Sequence, residues 1–392
     1  MLYRNSSKIE QPLSILGLGC MRFPKKGGSI IQSEAEKIMK AAIDAGVNYF
    51  DTAYIYSGSE ESVGTFLSKG YRERVNIATK LPHYLIKHAG DTDRYFEEQK
   101  KRLKSDHVEF YLMHMLSDLQ TWDRLVGLGV DKWIEKKKKS GEIKYVGFSF
   151  HGNSQQFKPL LDAYDWDFCQ IQYNYMDENT QAGVEGLRYA YSKGVMVVIM
   201  EPLRGGRLTY SLPKKAVKII EEAPIKHSAA EWGLRWLWNQ PEVGVILSGM
   251  NTTNQVEENT QVASLSEVGC MSDEEKLVIN KLKKAVNEAV KIPCTGCGYC
   301  MPCPAGVDIP MCFTSYNLKY TDKYTEALRN YVLCTQAKKV PTGASKCIKC
   351  GKCEKHCPQT LPIRENLEKV KKELEGPFIR VGLKVARKFM KF

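Results

Sequence analysis

Eight times between Leu13 and Met250, a short apolar or β-branched run is followed by a longer segment of helical period. The predicted strands are 14–19, 47–52, 75–80, 108–114, 143–149, 168–173, 195–201 and 243–248. Segments between them, such as 33–45 and 178–193, carry apolar residues at i, i+3 and i+4, which is one face of a helix. This alternation, sustained over about 240 residues, predicts an α/β fold of the (β/α)8, or TIM, barrel type rather than an open doubly wound sheet. The first run does not lead into a G-x-G-x-x-G turn, so the Rossmann alternative lacks its best signature.

A predicted helix from Asp273 to about Lys291 closes this region, and Pro293 stops it. Composition then shifts to Cys, Gly and Pro, which sets three expected parts: a barrel at 1–290, a cysteine-rich domain at 291–375 and a tail at 376–392. The domain holds two runs, Cys294-x2-Cys297-x2-Cys300-x2-Cys303-Pro304 and Cys347-x2-Cys350-x2-Cys353-x3-Cys357-Pro358. Three cysteines two residues apart can wrap one face of a cubane, and a fourth before proline reaches the other cluster in two-cluster ferredoxins. The expected ligands are therefore Cys294, Cys297, Cys300 and Cys357 for one [4Fe–4S] cluster, and Cys347, Cys350, Cys353 and Cys303 for the other. A zinc ribbon is the weaker alternative, since it normally uses two C-x2-C pairs. The first run closes with x2 where x3 is usual, which leaves Cys312 as a spare candidate; Cys312 and Cys334 otherwise read as core residues. The 43 residues between the runs have helical period, and the arrangement resembles the helical two-cluster ferredoxin domains of larger dehydrogenases.

Cysteine runs of this kind point to metal ligation in a reducing compartment. Residues 1–10 are polar with no apolar signal core, and no stretch is long and apolar enough to span a bilayer, so the expected location is cytoplasmic. The formal charge of +12 excludes any cluster. Eight thiolates and two cores of about +2 each would add roughly −4. No arginine–aromatic stripe accompanies the basic excess, so nucleic acid is not an expected partner. The run Lys136–Lys139 reads as the solvated C-terminal end of a helix.

Catalytic groups of such barrels sit at the C-terminal strand ends and the loops after them. Asp51 ends the second predicted strand, Tyr56 follows in its loop, Lys80 ends the third and His114 the fourth. A carbonyl that accepts hydride needs a proton at oxygen, and a phenol donates better beside a cation. Lys80 would be that cation, held by Asp51, with His114 orienting the carbonyl. The segments Asp51-Thr-Ala-Tyr-Ile-Tyr-Ser-Gly-Ser-Glu60, Ala78-Thr-Lys80 and Tyr111-Leu-Met-His114 resemble the aldo/keto reductase superfamily, from Leu16-Gly-Leu-Gly-Cys-Met21 to about Asn259.

That resemblance implies a nicotinamide cofactor, NADP or NAD, with Tyr56 as general acid and Asp51, Lys80 and His114 completing a tetrad. It further implies that Ser149 and Gln170 contact the nicotinamide carboxamide, with Phe150 where asparagine is usual and His151 as a substitute. Met200 takes the place of a stacking aromatic ring. Gly249-Met-Asn-Thr-Thr-Asn-Gln255-Val-Glu-Glu258-Asn259 is similar to the family's adenosine-binding loop, and Gly249 and Gln255 stand where Lys and Arg often hold the 2′-phosphate.

The expected function is an oxidoreductase: NAD(P)(H)-linked carbonyl reduction or alcohol oxidation on a small molecule, with two clusters transferring electrons to a partner such as a ferredoxin or flavoprotein. Nicotinamide delivers two electrons as hydride while a cluster takes one, so a flavin is a further expected cofactor in principle, although no flavin motif is recognisable. The alternative is a nucleotide-binding redox sensor or interaction module with structural or sensory clusters. The tail Phe378–Phe392 puts Phe378, Val381, Val385 and Phe389 on one helical face, which suits packing on its own protein or contact with an anionic membrane surface.

Overall fold

The computed structural model describes residues 1–152, 154–321, 323–336 and 340–376. The tail helix expected over 378–392 lies outside the described residues. Two compact units form: Met1–Pro202 with Ala230–Ser272, and Leu203–Ala229 with the described residues from Asp273 onward.

In the first unit, eight parallel strands close into a barrel in chain order. They are β1 (Leu16–Gly19), β2 (Tyr49–Asp51), β3 (Asn76–Leu81), β4 (Val108–Leu116), β5 (Ile143–Phe150), β6 (Phe168–Gln172), β7 (Met196–Met200) and β8 (Val245–Ser248). Each strand matches one predicted run, trimmed by one or two residues at an end or extended by one or two. Strands of a closed parallel barrel are covered on both faces, which is why β7, Met-Val-Val-Ile-Met, reads as a continuous apolar run rather than an alternating one. Helices such as Gln32–Asp44, Ser59–Leu67 and Asp91–Leu103 follow the strands. Gly64 lets two of them meet, because a Cβ there would lie 2.4 Å from the Arg102 carbonyl oxygen.

An antiparallel hairpin, Tyr3–Ser6 with Ile9–Ser14, precedes the barrel and was not foreseen. Its Ile9 and Leu13 are buried among Tyr49, Ala78, Phe110, Phe168, Met196 and Val245, residues at or near the N-terminal ends of their strands. The hairpin therefore plugs the barrel floor, the end opposite the C-terminal rim. The lysine run also departs from expectation. Lys137, at the end of the helix Val130–Lys139, is 6% exposed and pairs with Asp93 at 3.2 Å and Glu142 at 3.1 Å, while Lys138 pairs with Asp167 at 2.9 Å. Two of the four lysines tie elements together instead of facing water.

The second unit is helical, built on Asp273–Ala289, Ile309–Thr321, Tyr324–Tyr331 and Ile363–Leu374. Its core gathers Val307, Ile309, Phe313, Tyr331, Leu361 and Leu367, and Cys294, Cys300, Cys303, Cys347, Cys353 and Cys357 pack against it. Asn317 fastens the start of the cysteine-rich segment, accepting from the Ile292 amide at 3.0 Å and donating to the Ile292 carbonyl at 2.7 Å. Among the described residues no helix is long and apolar enough to cross a membrane.

Candidate functional site

Strand ends bring the predicted tetrad together at the C-terminal rim. Lys80 is fully buried, and its Nζ donates to Asp51 Oδ1 at 2.6 Å and to the Thr52 carbonyl at 2.7 Å. The same Nζ lies 4.9 Å from the centroid of the Tyr56 ring, which meets the His114 ring edge-on at 6.0 Å. Behind Lys80, Gln99 donates to its carbonyl at 3.1 Å and to the buried Glu60 at 2.8 Å, and Thr79 also donates to Glu60, at 2.6 Å. Tyr111 donates to Gln99 at 2.8 Å, so a buried polar network backs the lysine. Glu60 lies in the motif already quoted, yet sequence reasoning gave it no role; its signal was a carboxylate directly before an apolar helical face.

The titration of these groups follows from burial. Desolvation pushes the Tyr56 phenol well above its ordinary range, with the negative charges of Asp51 and Glu201 adding to the rise and Arg22 opposing it. The Lys80 ammonium, meanwhile, donates to Asp51 and to the Thr52 carbonyl beneath the phenol ring. Burial raises Asp51 and the Lys80 ammonium pulls it back. Burial holds His114 well below its usual value, assisted by Lys80, and holds His151 down at about 4. His83 is likewise pushed down to about 4 by burial. The imidazoles of the rim are neutral at pH 7.

The residues expected to meet the nucleotide occupy the neighbouring sector. Ser149 and Gln170 are register partners across β5 and β6, and both are buried. Ser149 Oγ accepts from the Met115 amide at 2.8 Å. Met200 ends β7, and Glu201 after it has φ +55°, as Met115 after His114 has φ +61°. Two non-glycine residues in left-handed conformation, each directly after a rim residue, mark local strain at this mouth. Gly249 follows β8; Asn259 donates to Ser248 Oγ at 3.1 Å; Gln255 accepts from the Asn251 amide at 2.9 Å; and Glu258 is exposed one turn on, in the helix Thr253–Leu265. Asp51 Oδ2, His114 Nδ1 and Gln170 Oε1 are buried and find no hydrogen-bond partner among the described residues. Acceptors buried this way are costly unless a ligand completes them, so the rim fits a polar cofactor and substrate.

One cation here was missed. Arg22, three residues past β1, lays its stem over Gly249: a Cβ on that glycine would sit 3.2 Å from Arg22 Cδ. Its Nη2 lies 3.6 Å from Glu201 Oε1. Nothing in linear order links residues 22 and 249; only barrel closure, which pairs β8 with β1, makes them neighbours.

In the second unit, Cys294, Cys297, Cys300 and Cys357 line a cavity of about 310 Å³, walled by Ile309, Phe313 and Leu361. Burial, and then the charges of Cys294, Cys297 and Cys357, lift the Cys300 thiol to about 12. These four are the set expected for one cluster. Burial raises the Cys353 thiol, as do the charges of Glu354 and Cys347. Cys350 is exposed. Cys312 is fully buried beside Tyr331 in the apolar core. Among the described residues no three His, Cys, Asp or Glu side chains converge on a single metal ion. Four thiols spread around a cavity suit a cubane better than one zinc.

Residues 15–269 match the profile of the Aldo/keto reductase family. The chain belongs to that family. Residues 293–361 of this aldo/keto reductase match a second profile, the 4Fe-4S dicluster domain. Among curated relatives, the oxidoreductase YrpG of Bacillus subtilis (strain 168) is 27% identical over 298 residues, covering 65% of this chain and 88% of the relative. L-galactose dehydrogenase of Arabidopsis thaliana is 25% identical over 288 residues, covering 68% and 88%. Of solved structures, the holo form of an aldo-keto reductase from Bacillus halodurans superposes with TM-score 0.60 at 24% identity, covering 73% of this chain and 97% of that one. An aldo-keto reductase from Klebsiella pneumoniae in complex with NADPH gives 0.58 at 23%, covering 72% and 96%. Both likenesses show the barrel fold.

Proposed function

We propose that this aldo/keto reductase interconverts a small carbonyl compound and its alcohol at the C-terminal rim of the barrel, using a nicotinamide nucleotide, and that its second part carries two [4Fe–4S] clusters. The observation that carries the reading is the buried Lys80–Asp51 pair, 2.6 Å long, beneath the Tyr56 ring and beside His114. A nicotinamide nucleotide, when bound, would supply the hydride chemistry for the carbonyl carbon. Tyr56 gives its proton to the carbonyl oxygen, and its raised affinity for that proton keeps it loaded at neutral pH. The Lys80 ammonium stabilises the phenolate left behind, and Asp51 holds that ammonium in place. His114, neutral, directs an N–H at the developing oxyanion.

Ser149 and Gln170 would hold the carboxamide of the nicotinamide, Met200 would lie against its ring, and Glu258 and Asn259 would meet the adenosine. With Gly249 and Gln255 uncharged, Arg22 is the cation that supports phosphate binding, released from Glu201 as the nucleotide enters. NADP is favoured over NAD on that ground, and the Klebsiella pneumoniae relative with NADPH supports it.

Cys294, Cys297, Cys300 and Cys357 would bind one cluster, and Cys303, Cys347, Cys350 and Cys353 the other. Clusters held there would supply single-electron chemistry, toward an external carrier such as a ferredoxin or flavoprotein. The two tight cysteine runs, spaced for metal rather than for disulfides, support a reducing, cytoplasmic setting. The proposed parts remain a barrel at 1–290, a cluster domain at 291–375 and a tail at 376–392.

Tyr56→Phe tests the reading. The expected result is a loss of carbonyl reduction by at least a hundredfold, with nucleotide affinity unchanged in a sample of full iron content. Undiminished reduction in that sample would remove Tyr56 as the proton donor and favour a sensor role.

A further inference from the structure

Arg207 follows two glycines of positive φ, Gly205 and Gly206, in the segment that belongs to the second unit. Its guanidinium reaches the first cysteine run. Nη1 donates to the Cys294 carbonyl at 2.5 Å, and Nη2 donates to Thr314 Oγ1 at 2.7 Å. Gly296, φ +74°, lies between Cys294 and Cys297, and a Cβ added there would stand 2.8 Å from Arg207 Nη2. The missing side chain is thus what admits the guanidinium to the loop. Thr314 is itself anchored, donating to the Pro310 carbonyl at 2.9 Å. The fork is gripped from two sides and aimed at a cluster-binding loop.

Arg207 and Cys294 also share the wall of a second cavity, of about 530 Å³, whose other walls include Leu208, Val286, Val290 and Leu318. An arginine keeps its charge at any physiological pH. Beside apolar side chains that charge is screened less than it would be in water.

We propose that Arg207 sets the reduction potential of the cluster bound by Cys294, Cys297, Cys300 and Cys357. It acts as a positioning residue that holds a fixed positive charge against the first cluster loop. Reduction adds one electron to the cluster, and that added negative charge is stabilised by the guanidinium, so the potential of this cluster is raised while the other keeps its own. Net charge and hydrogen bonding around the sulfurs are the levers by which proteins tune such centres. The inference rests on the reading that these four cysteines bind a cluster.

The test is an anaerobic redox titration of the full-length protein followed by EPR, with iron and sulfide measured on each sample. In R207Q the equilibrium constant for reduction of one cluster falls about tenfold, about 59 mV for one electron, and the second cluster does not move. R207K, which keeps the charge, stays within about threefold of the wild type. A purely structural arginine predicts the opposite pattern: Gln and Lys would lose iron alike and shift no potential. Unchanged potentials in an iron-replete R207Q, or an equal shift of both clusters, overturn the proposal. Should R207Q lose iron, Thr314→Val decides, because it frees the fork without removing the charge. A fall in one potential supports the proposal, and no change in an iron-replete sample overturns it. Absence of iron and sulfide from the wild-type protein would instead overturn the cluster reading beneath it.

Discussion

Tyr56 lies among opposed charges: Asp51 and Glu201 raise its proton affinity, and Arg22 lowers it. A phenol in that setting stays protonated well past neutrality, so carbonyl reduction should hold a flat rate from pH 6 to 8; a rate falling tenfold per unit across that range would place the proton elsewhere. Lys80 and Asp51 are tested as a pair. Lys80→Met leaves a buried carboxylate unpaired and should cost about 3 kcal/mol of barrel stability. Adding Asp51→Asn should restore much of that stability by denaturant unfolding, yet leave activity absent, which separates folding from chemistry. Arg22→Gln should weaken NADPH binding about tenfold, the worth of one charged hydrogen bond, as read by fluorescence titration. The histidines set an acid limit. His83 and His151 fall to about 4 in the folded barrel against 6.5 in an unfolded chain. The unfolded state therefore binds more protons below pH 6.5, and stability declines as pH drops from 6.5 toward 4. His83→Gln should flatten that decline in melting curves recorded between pH 7 and 4.5.

The barrel strands and the hairpin differ in how plainly the sequence announces them. β7 is legible because burial on both faces demands uninterrupted apolar residues. The hairpin is not, because only Ile9 and Leu13 turn inward from an otherwise polar stretch, and two residues make no period. Its importance is still measurable: Leu13→Ala should destabilise the barrel by about 3 kcal/mol through the cavity it opens in the floor. Tyr56, Lys80, Asp51 and His114 were readable because each sits at or just after a strand end, where order along the chain maps directly onto the rim. Arg22 over Gly249 was not, since that contact depends on closure between the last strand and the first. Lys137 was misread because a run of four lysines looks like a solvated helix end, whereas its carboxylate partners Asp93 and Glu142 are scattered along the chain.

Across the whole molecule, the barrel and the helical unit each own a core, so they should respond separately to loss of metal. Iron chelation should lower one calorimetric transition and leave the barrel transition in place; a single transition lost entirely would tie both folds to the clusters. Hydride carries two electrons and each cluster accepts one, so NADPH alone should leave the cluster EPR signal unchanged until a one-electron donor is added. Hydride transfer at the barrel rim is open to an isotope experiment under anaerobic conditions. The wild-type protein reduces 4-nitrobenzaldehyde with nucleotide deuterated at C4, NADPH and NADH in parallel, and the alcohol is read by mass spectrometry. Deuterium is expected on the carbinol carbon with none entering from heavy water; a carbinol hydrogen drawn from solvent, or no alcohol from either nucleotide, would rule out hydride transfer at the rim.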